Sequence, residues 1–159
     1  MSEPALTRCD IAIAGGGMVG LSLAAALADL PLDVAVIEPV APDSLDQPSF
    51  DARTTALSGG SRRVLEGVGA WQAIAAQATP IRRIHVSERG AFGFARLSAE
   101  EQGVAALGYT IENRLLGRAL RERCAAIPRL TLCHAAVREL RSGEDALCIV
   151  TDQGQEISA

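Results

Sequence analysis

The sequence predicts an α/β fold, a parallel sheet with helices packed on it, interrupted by antiparallel strands that belong to a second sheet. Three observations carry that expectation. Residues 9–38 run strand, glycine-rich turn, helix and strand, and close on an acid. The helix-patterned stretch from Glu112 to Ala126 leads into an apolar strand, Arg129 to Cys133, that would continue the parallel sheet. Between these parts, residues 79–111 hold short strand-like stretches separated by turn residues.

Composition narrows the functions open to such a fold. A chain of 159 residues suffices for one domain with its own core. With 48% hydrophobic and 21% charged residues it reads as globular, not disordered. A net charge of −4 offers no basic surface, so no nucleic-acid partner is expected. All 15 cationic side chains are arginines. The absence of lysine excludes Schiff-base chemistry and a Walker-type phosphate loop. Cys9, Cys124, Cys133 and Cys148 form no C-x-x-C pair, so zinc and redox motifs lack their spacing. Buried free thiols in a reducing cytoplasm are the expectation.

The first element is ambiguous until its glycines are weighed. From Ile11 to Ala28 no residue is charged, which is long enough to test as a membrane span. Four glycines fall within it, each costing a helix interior about 1 kcal/mol relative to alanine. The leader carries Glu3 and Asp10 against one Arg8, the wrong balance for a signal peptide. A different division accounts for more residues. Cys9 to Ala14 reads as a buried parallel strand and residues 18–29 as a helix ending before Pro31. Asp33 to Ile37 is then a second strand, closed by Glu38 and Pro39. Between strand and helix, Gly15, Gly17 and Gly20 have the G-x-G-x-x-G spacing of a dinucleotide-binding βαβ unit. Gly15 allows the tight turn, Gly17 lets backbone approach a pyrophosphate, and Gly20 lets helix and strand pack closely. The helix N-terminus offers free N–H groups and a positive dipole end to phosphate. Glu38, 23 positions after Gly15, can accept hydrogen bonds from a ribose diol.

The remaining elements follow in order. Residues 39–57, with Pro39, Pro42 and Pro48, read as a long loop. Ser58 to Ser61 opens a helix with Val64, Leu65 and Val68 on one face, interrupted at Gly67 and Gly69 before a short helix from Trp71 to Gln77. Pro80 marks a break. Ile81 to Glu88 alternates as a strand, Gly90 to Gly93 turns, and Phe94 to Leu97 is its partner, with a third strand near Leu107 to Ile111. The helix from Glu112 to Ala126 points Leu115, Leu116, Ala119, Leu120 and Cys124 inward. Ala136 to Leu140 and Ala146 to Thr151 form a meander.

Four blocks carry a resemblance: "DIAIAGGGMVGLSLAAALA" (10–28), "FDARTTALSGGSRRVLEGVGAW" (50–71), "IRRIHVSERG" (81–90) and "ALGYTIENRLLGRAL" (106–120). Through them the chain resembles the FAD-dependent aromatic hydroxylases with the fold of p-hydroxybenzoate hydroxylase. The nearer resemblance is to the ubiquinone-biosynthesis hydroxylases of the 2-octaprenyl-6-methoxyphenol hydroxylase type. It implies a Rossmann-like FAD-binding domain formed by residues 1–78 and 112–159, with residues 79–111 an excursion into the substrate-domain sheet. Arg53, in "DARTTAL", looks like the arginine beside the flavin side of FAD. Arg114, in "ENRLLGRAL", looks like the residue that reaches the pyrophosphate and ribityl region. Val137 is similar to a position whose backbone meets the adenine. The implied chemistry belongs to the cofactor: NAD(P)H reduces the flavin, and oxygen then hydroxylates an electron-rich phenol. No catalytic side chain is implied, and His85 and His134 receive no role.

The resemblance further implies a phenolic, prenylated quinone precursor as substrate, and the free thiols suit a cytoplasmic location. It leaves room for peripheral association with the inner membrane or a biosynthetic complex, and for a homo-oligomer. The family's later Asp-Gly and Gly-Asp motifs do not occur in these 159 residues, so an incomplete fold, inactive alone, is expected. Two rival readings stand beside it, a folded non-catalytic fragment with weak FAD or ADP affinity and an NAD-dependent dehydrogenase domain.

Overall fold

The computed structural model describes residues 6–40, 53–90, 92–143 and 146–159. Its first strand-like stretch serves two sheets. Leu6–Arg8 (β1) pairs with Glu156–Ser158 (β12), whereas Ile11–Ala14 (β2) pairs with Val34–Ile37 (β3), both in parallel. The switch falls at Cys9 and Asp10, where the Cys9 N–H donates to Ser158 O and the Asp10 N–H to Asp33 O. The strand expected over Cys9 to Ala14 is thus found at Ile11–Ala14, and β1, which the sequence did not announce, precedes it.

The parallel sheet has the order β2-β3-β9, with β9 at Leu130–Cys133. Every residue of the central β3 is buried. Its alternation sends Val34 and Val36 into one core and Ala35 and Ile37 into another, as a strand covered on both faces requires. The first core lies under the helices Met18–Ala26 (α1), Gly59–Gly67 (α2), Trp71–Ile74 (α3) and Asn113–Ala125 (α4), and includes Leu21, Leu65, Trp71, Leu116 and Leu120. The second lies against an antiparallel meander, Val137–Ser142 (β10), Leu147–Thr151 (β11) and β12, which contributes Ile149 and Ile157.

A third sheet corrects part of the expected loop. Thr54–Ser58 (β4) is a strand that pairs antiparallel with Gly108–Glu112 (β8), which also holds Thr79–Ile81 (β5). Pro80 does not break the chain there. It lies within β5, an edge strand, where the missing N–H costs no ladder bond. Residues 41–52 of the expected loop lie outside the described residues. Val64, placed inward by periodicity, is 55% exposed, while Leu65 and Val68 are buried. Arg62 on α2 lies over the rings of Trp71 and Tyr109 and donates to the Tyr109 hydroxyl, which ties α2 to β8. Finally, Arg83–Ser87 (β6) and Phe94–Ser98 (β7) form a separate two-stranded hairpin.

Candidate functional site

The site is built at the carboxyl end of the parallel sheet, where β2 turns into α1. Gly15 leaves the strand with φ +104°, a conformation that L side chains rarely adopt, and its N–H donates to Ile37 O at 2.8 Å. Gly20 is fixed by contact, since a Cβ there would sit 1.9 Å from the Gly15 carbonyl oxygen. Helix α1 can thus start directly against the strand. Gly17 is its N-cap, in extended conformation and without a side-chain cap, and the first turn carries no acid. The amide groups of this turn have no intrahelical partner and face a site that suits an anion.

Gly16 is a residue that the fingerprint leaves unassigned. Its N–H donates to Glu38 Oε2 at 2.7 Å, and a Cβ there would lie 2.8 Å from Glu38 Cβ. The run of three glycines, one more than the motif demands, was the available signal. Glu38 Oε1 accepts the Val40 N–H at 3.0 Å, so both carboxylate oxygens are already oriented by backbone. Each retains a second lone pair for a ribose hydroxyl. Glu38 also borders a small recess with Gly16, Arg121, Leu132, Cys133 and His134. Burial pushes the Cys133 thiol up, so this side chain borders the recess as an uncharged thiol.

Two open grooves meet at Met18 and Val19. One, of about 490 Å³, crosses the phosphate turn over Ile13, Gly15, Gly17 and Gly20. The other, of about 330 Å³ and mostly apolar, continues past Thr55, Leu57, Val64 and Leu116. Arg53 stands, exposed, just before β4. Its carbonyl accepts the Asn113 N–H at 2.8 Å, so the arginine stretch and the start of α4 are joined. Arg114, one residue further, is 56% exposed and paired with Glu112. Val137 opens β10 and packs against the second core beside Ile37. The structure thus brings Gly15, Gly17, Gly20 and Glu38 into one cradle and sets Arg53 and Arg114 at a neighbouring junction. The recess beside Glu38 is bordered by Cys133 and His134, and Val137 is not among its lining residues.

The arrangement fits a dinucleotide: an uncapped helix start for the pyrophosphate, an oriented acid for the ribose, and a groove leading onward. Among the described residues no cluster could hold a metal ion, and no helix is long and apolar enough to cross a membrane.

Comparison with known proteins gives the same picture. The family model described as FAD binding domain matches residues 8–158. The ubiquinone hydroxylase UbiL of Rhodospirillum rubrum is 35% identical over 152 residues, a match that covers 94% of this chain and 35% of the relative. The 3-demethoxyubiquinol 3-hydroxylase of Escherichia coli is 39% identical over 127 residues, covering 77% of this chain and 32% of the relative. This chain therefore spans about a third of the length of these relatives. Among solved structures, p-nitrophenol 4-monooxygenase PnpA of Pseudomonas putida superimposes with a TM-score of 0.77 at 18% identity, over 98% of this chain and 40% of that one. At that identity the likeness establishes the fold.

Proposed function

This chain belongs to the FAD binding domain family, and from that premise we propose that it is the dinucleotide-holding part of a flavoprotein hydroxylase that acts on a phenolic, prenylated ubiquinone precursor, with NAD(P)H as reductant. One observation carries the cofactor half of this reading. An uncapped, acid-free helix start lies on a groove that runs on toward Thr55 and Leu116, and the pre-oriented Glu38, at a small recess of its own, is hydrogen-bonded to Gly16 of the same glycine turn. The names of the relatives support the substrate half.

In this reading the amides at the start of α1 hold the pyrophosphate, and Gly15 and Gly20 keep the turn low enough for close approach. Glu38 accepts from the ribose diol through the lone pairs that Gly16 and Val40 leave open. Arg53 lies toward the flavin side and Arg114 toward the ribityl region. A guanidinium suits either place because it keeps its charge and offers several donors. Bound FAD would supply the redox and oxygen chemistry. The described residues contribute binding and orientation, and residues 79–111 are assigned to the substrate-side sheet.

Titration with FAD, ADP and NAD separately tests the reading. Saturable FAD and ADP binding, with NAD weaker, is the expected result. A preference for NAD over FAD would support a dehydrogenase domain and refute the proposal. With FAD, NADH and a phenol added, the chain alone is expected to bind without sustained hydroxylation, which product analysis checks.

A further inference from the structure

We propose that Thr55 and Asn113 form a lock that positions Arg53 at the far end of the cofactor groove, an inference that rests on the FAD reading above. Asn113 and Thr151 are the two buried polar side chains among the described residues, and Asn113 is 7% exposed. An amide buried this deeply is costly unless its hydrogen bonds are made. Its Oδ1 accepts the Thr55 hydroxyl, which lies 58 positions away in sequence. Its backbone N–H donates to the Arg53 carbonyl at 2.8 Å. A single residue at the start of α4 therefore grips both Arg53 and Thr55.

Geometry then fixes what the grip accomplishes. The β4–β8 ladder runs from Ser58 opposite Gly108 to Thr54 opposite Glu112. The Asn113 to Arg53 bond carries it one step further. Residues two apart on an extended strand share a face, so Arg53 lies on the same side as Thr55. Thr55 lines the groove that continues from Met18 and Val19. The lock thus holds the backbone of Arg53 in register with the groove wall. Thr55 and Asn113 are not among the residues that line the phosphate-turn groove or the Glu38 recess, so the lock acts through Arg53 and not on the ADP end.

The test measures FAD and ADP affinity for the parent chain, Thr55→Val, Thr55→Ser, Arg53→Ala and the Arg53→Ala/Thr55→Val double variant. Thr55→Val keeps the shape and removes the donor. It is expected to weaken FAD roughly tenfold and to leave ADP within about twofold, while Thr55→Ser restores FAD binding. The double variant is expected to bind FAD no more weakly than Arg53→Ala alone, because the lock acts through that arginine. Amide hydrogen exchange gives a ligand-free readout: Thr55→Val should speed exchange at Asn113 and leave Gly15 protected. Equal losses for FAD and ADP, additive losses in the double variant, or unchanged FAD binding and exchange in Thr55→Val would each overturn the lock. A parent chain that binds ADP but not FAD would overturn the underlying FAD reading, and the lock with it.

Discussion

Glu38 joins ligand recognition to the shape of the phosphate turn at the level of a single carboxylate. One oxygen orients the Gly16 amide and the other the Val40 amide, so removing the side chain disturbs the turn as well as the ribose contact. Glu38→Ala should weaken FAD roughly 10- to 100-fold, the worth of hydrogen bonds to a charged group. Glu38→Gln, which keeps one acceptor, should fall between. A calorimetric titration showing Glu38→Ala equal to the parent would remove Glu38 from the site. Cys124 is a different case, a thiol the site does not use. It is fully buried, its Sγ donates to Leu21 O at 3.4 Å, and burial pushes its pKa up to about 11, partly offset by Arg123. The native thiol should therefore resist alkylation at pH 8, read by mass spectrometry, while the unfolded chain reacts. Because folding raises this pKa above its unfolded value of 9.0, the folded state holds the proton longer. Stability tied to it is complete below pH 9 and lost as pH rises toward 11, with a slope of at most about 1.4 kcal/mol per unit. Cys124→Ala should flatten that part of a melting-temperature profile.

The joint between β2 and α1 sets the site at the level of elements, and its tolerance is small. A methyl at Gly20 would fall 1.9 Å from backbone that cannot swing aside. Gly20→Ala should therefore push helix and strand apart and cost about 1–3 kcal/mol or more, with FAD affinity lost together with stability. A melting temperature within about 1 °C of the parent would show that the joint gives more easily than its geometry implies. This joint was legible in sequence because glycine spacing, apolar strand and closing acid are all local signals. The third sheet was not. β4 is held by β8 across fifty or so residues, and "TTALS" carries one large apolar side chain, Leu57, too little to announce in sequence the alternation of exposed and buried positions that the folded strand shows. The short β12 was equally silent: its three residues are a strand because β1 and β11 flank them. Helix α4 was read within a residue or two, since Leu116, Ala119, Leu120 and Cys124 repeat at helical spacing. Of the site, the sequence pointed to the glycines and Glu38, while the Asn113 to Thr55 bond depends on a pairing that no short motif encodes.

Across the whole molecule, apolar surface is distributed unevenly. The parallel sheet is covered on both faces, yet the described residues cover the β6–β7 hairpin on neither. Its register places Ile84 opposite Leu97 and Val86 opposite Ala95, so one face is wholly apolar while Arg83, His85 and Arg96 occupy the other. That is the pattern of a half-buried sheet, and here Val86 is 58% and Leu97 45% exposed. A two-stranded hairpin gains little stability in isolation, and both its outer edges are unpaired among the described residues. At high protein concentration this face should drive self-association, with the hairpin amides exchanging far faster than those of β3. Val86→Lys places a charge in the middle of the apolar face without touching either core. It should shift the chain toward monomer in sedimentation velocity while changing folding stability by less than about 0.5 kcal/mol. If Val86→Lys associates as strongly as the parent, the contact lies elsewhere, and the apolar groove along Met18, Val19 and Val64 becomes the next surface to charge.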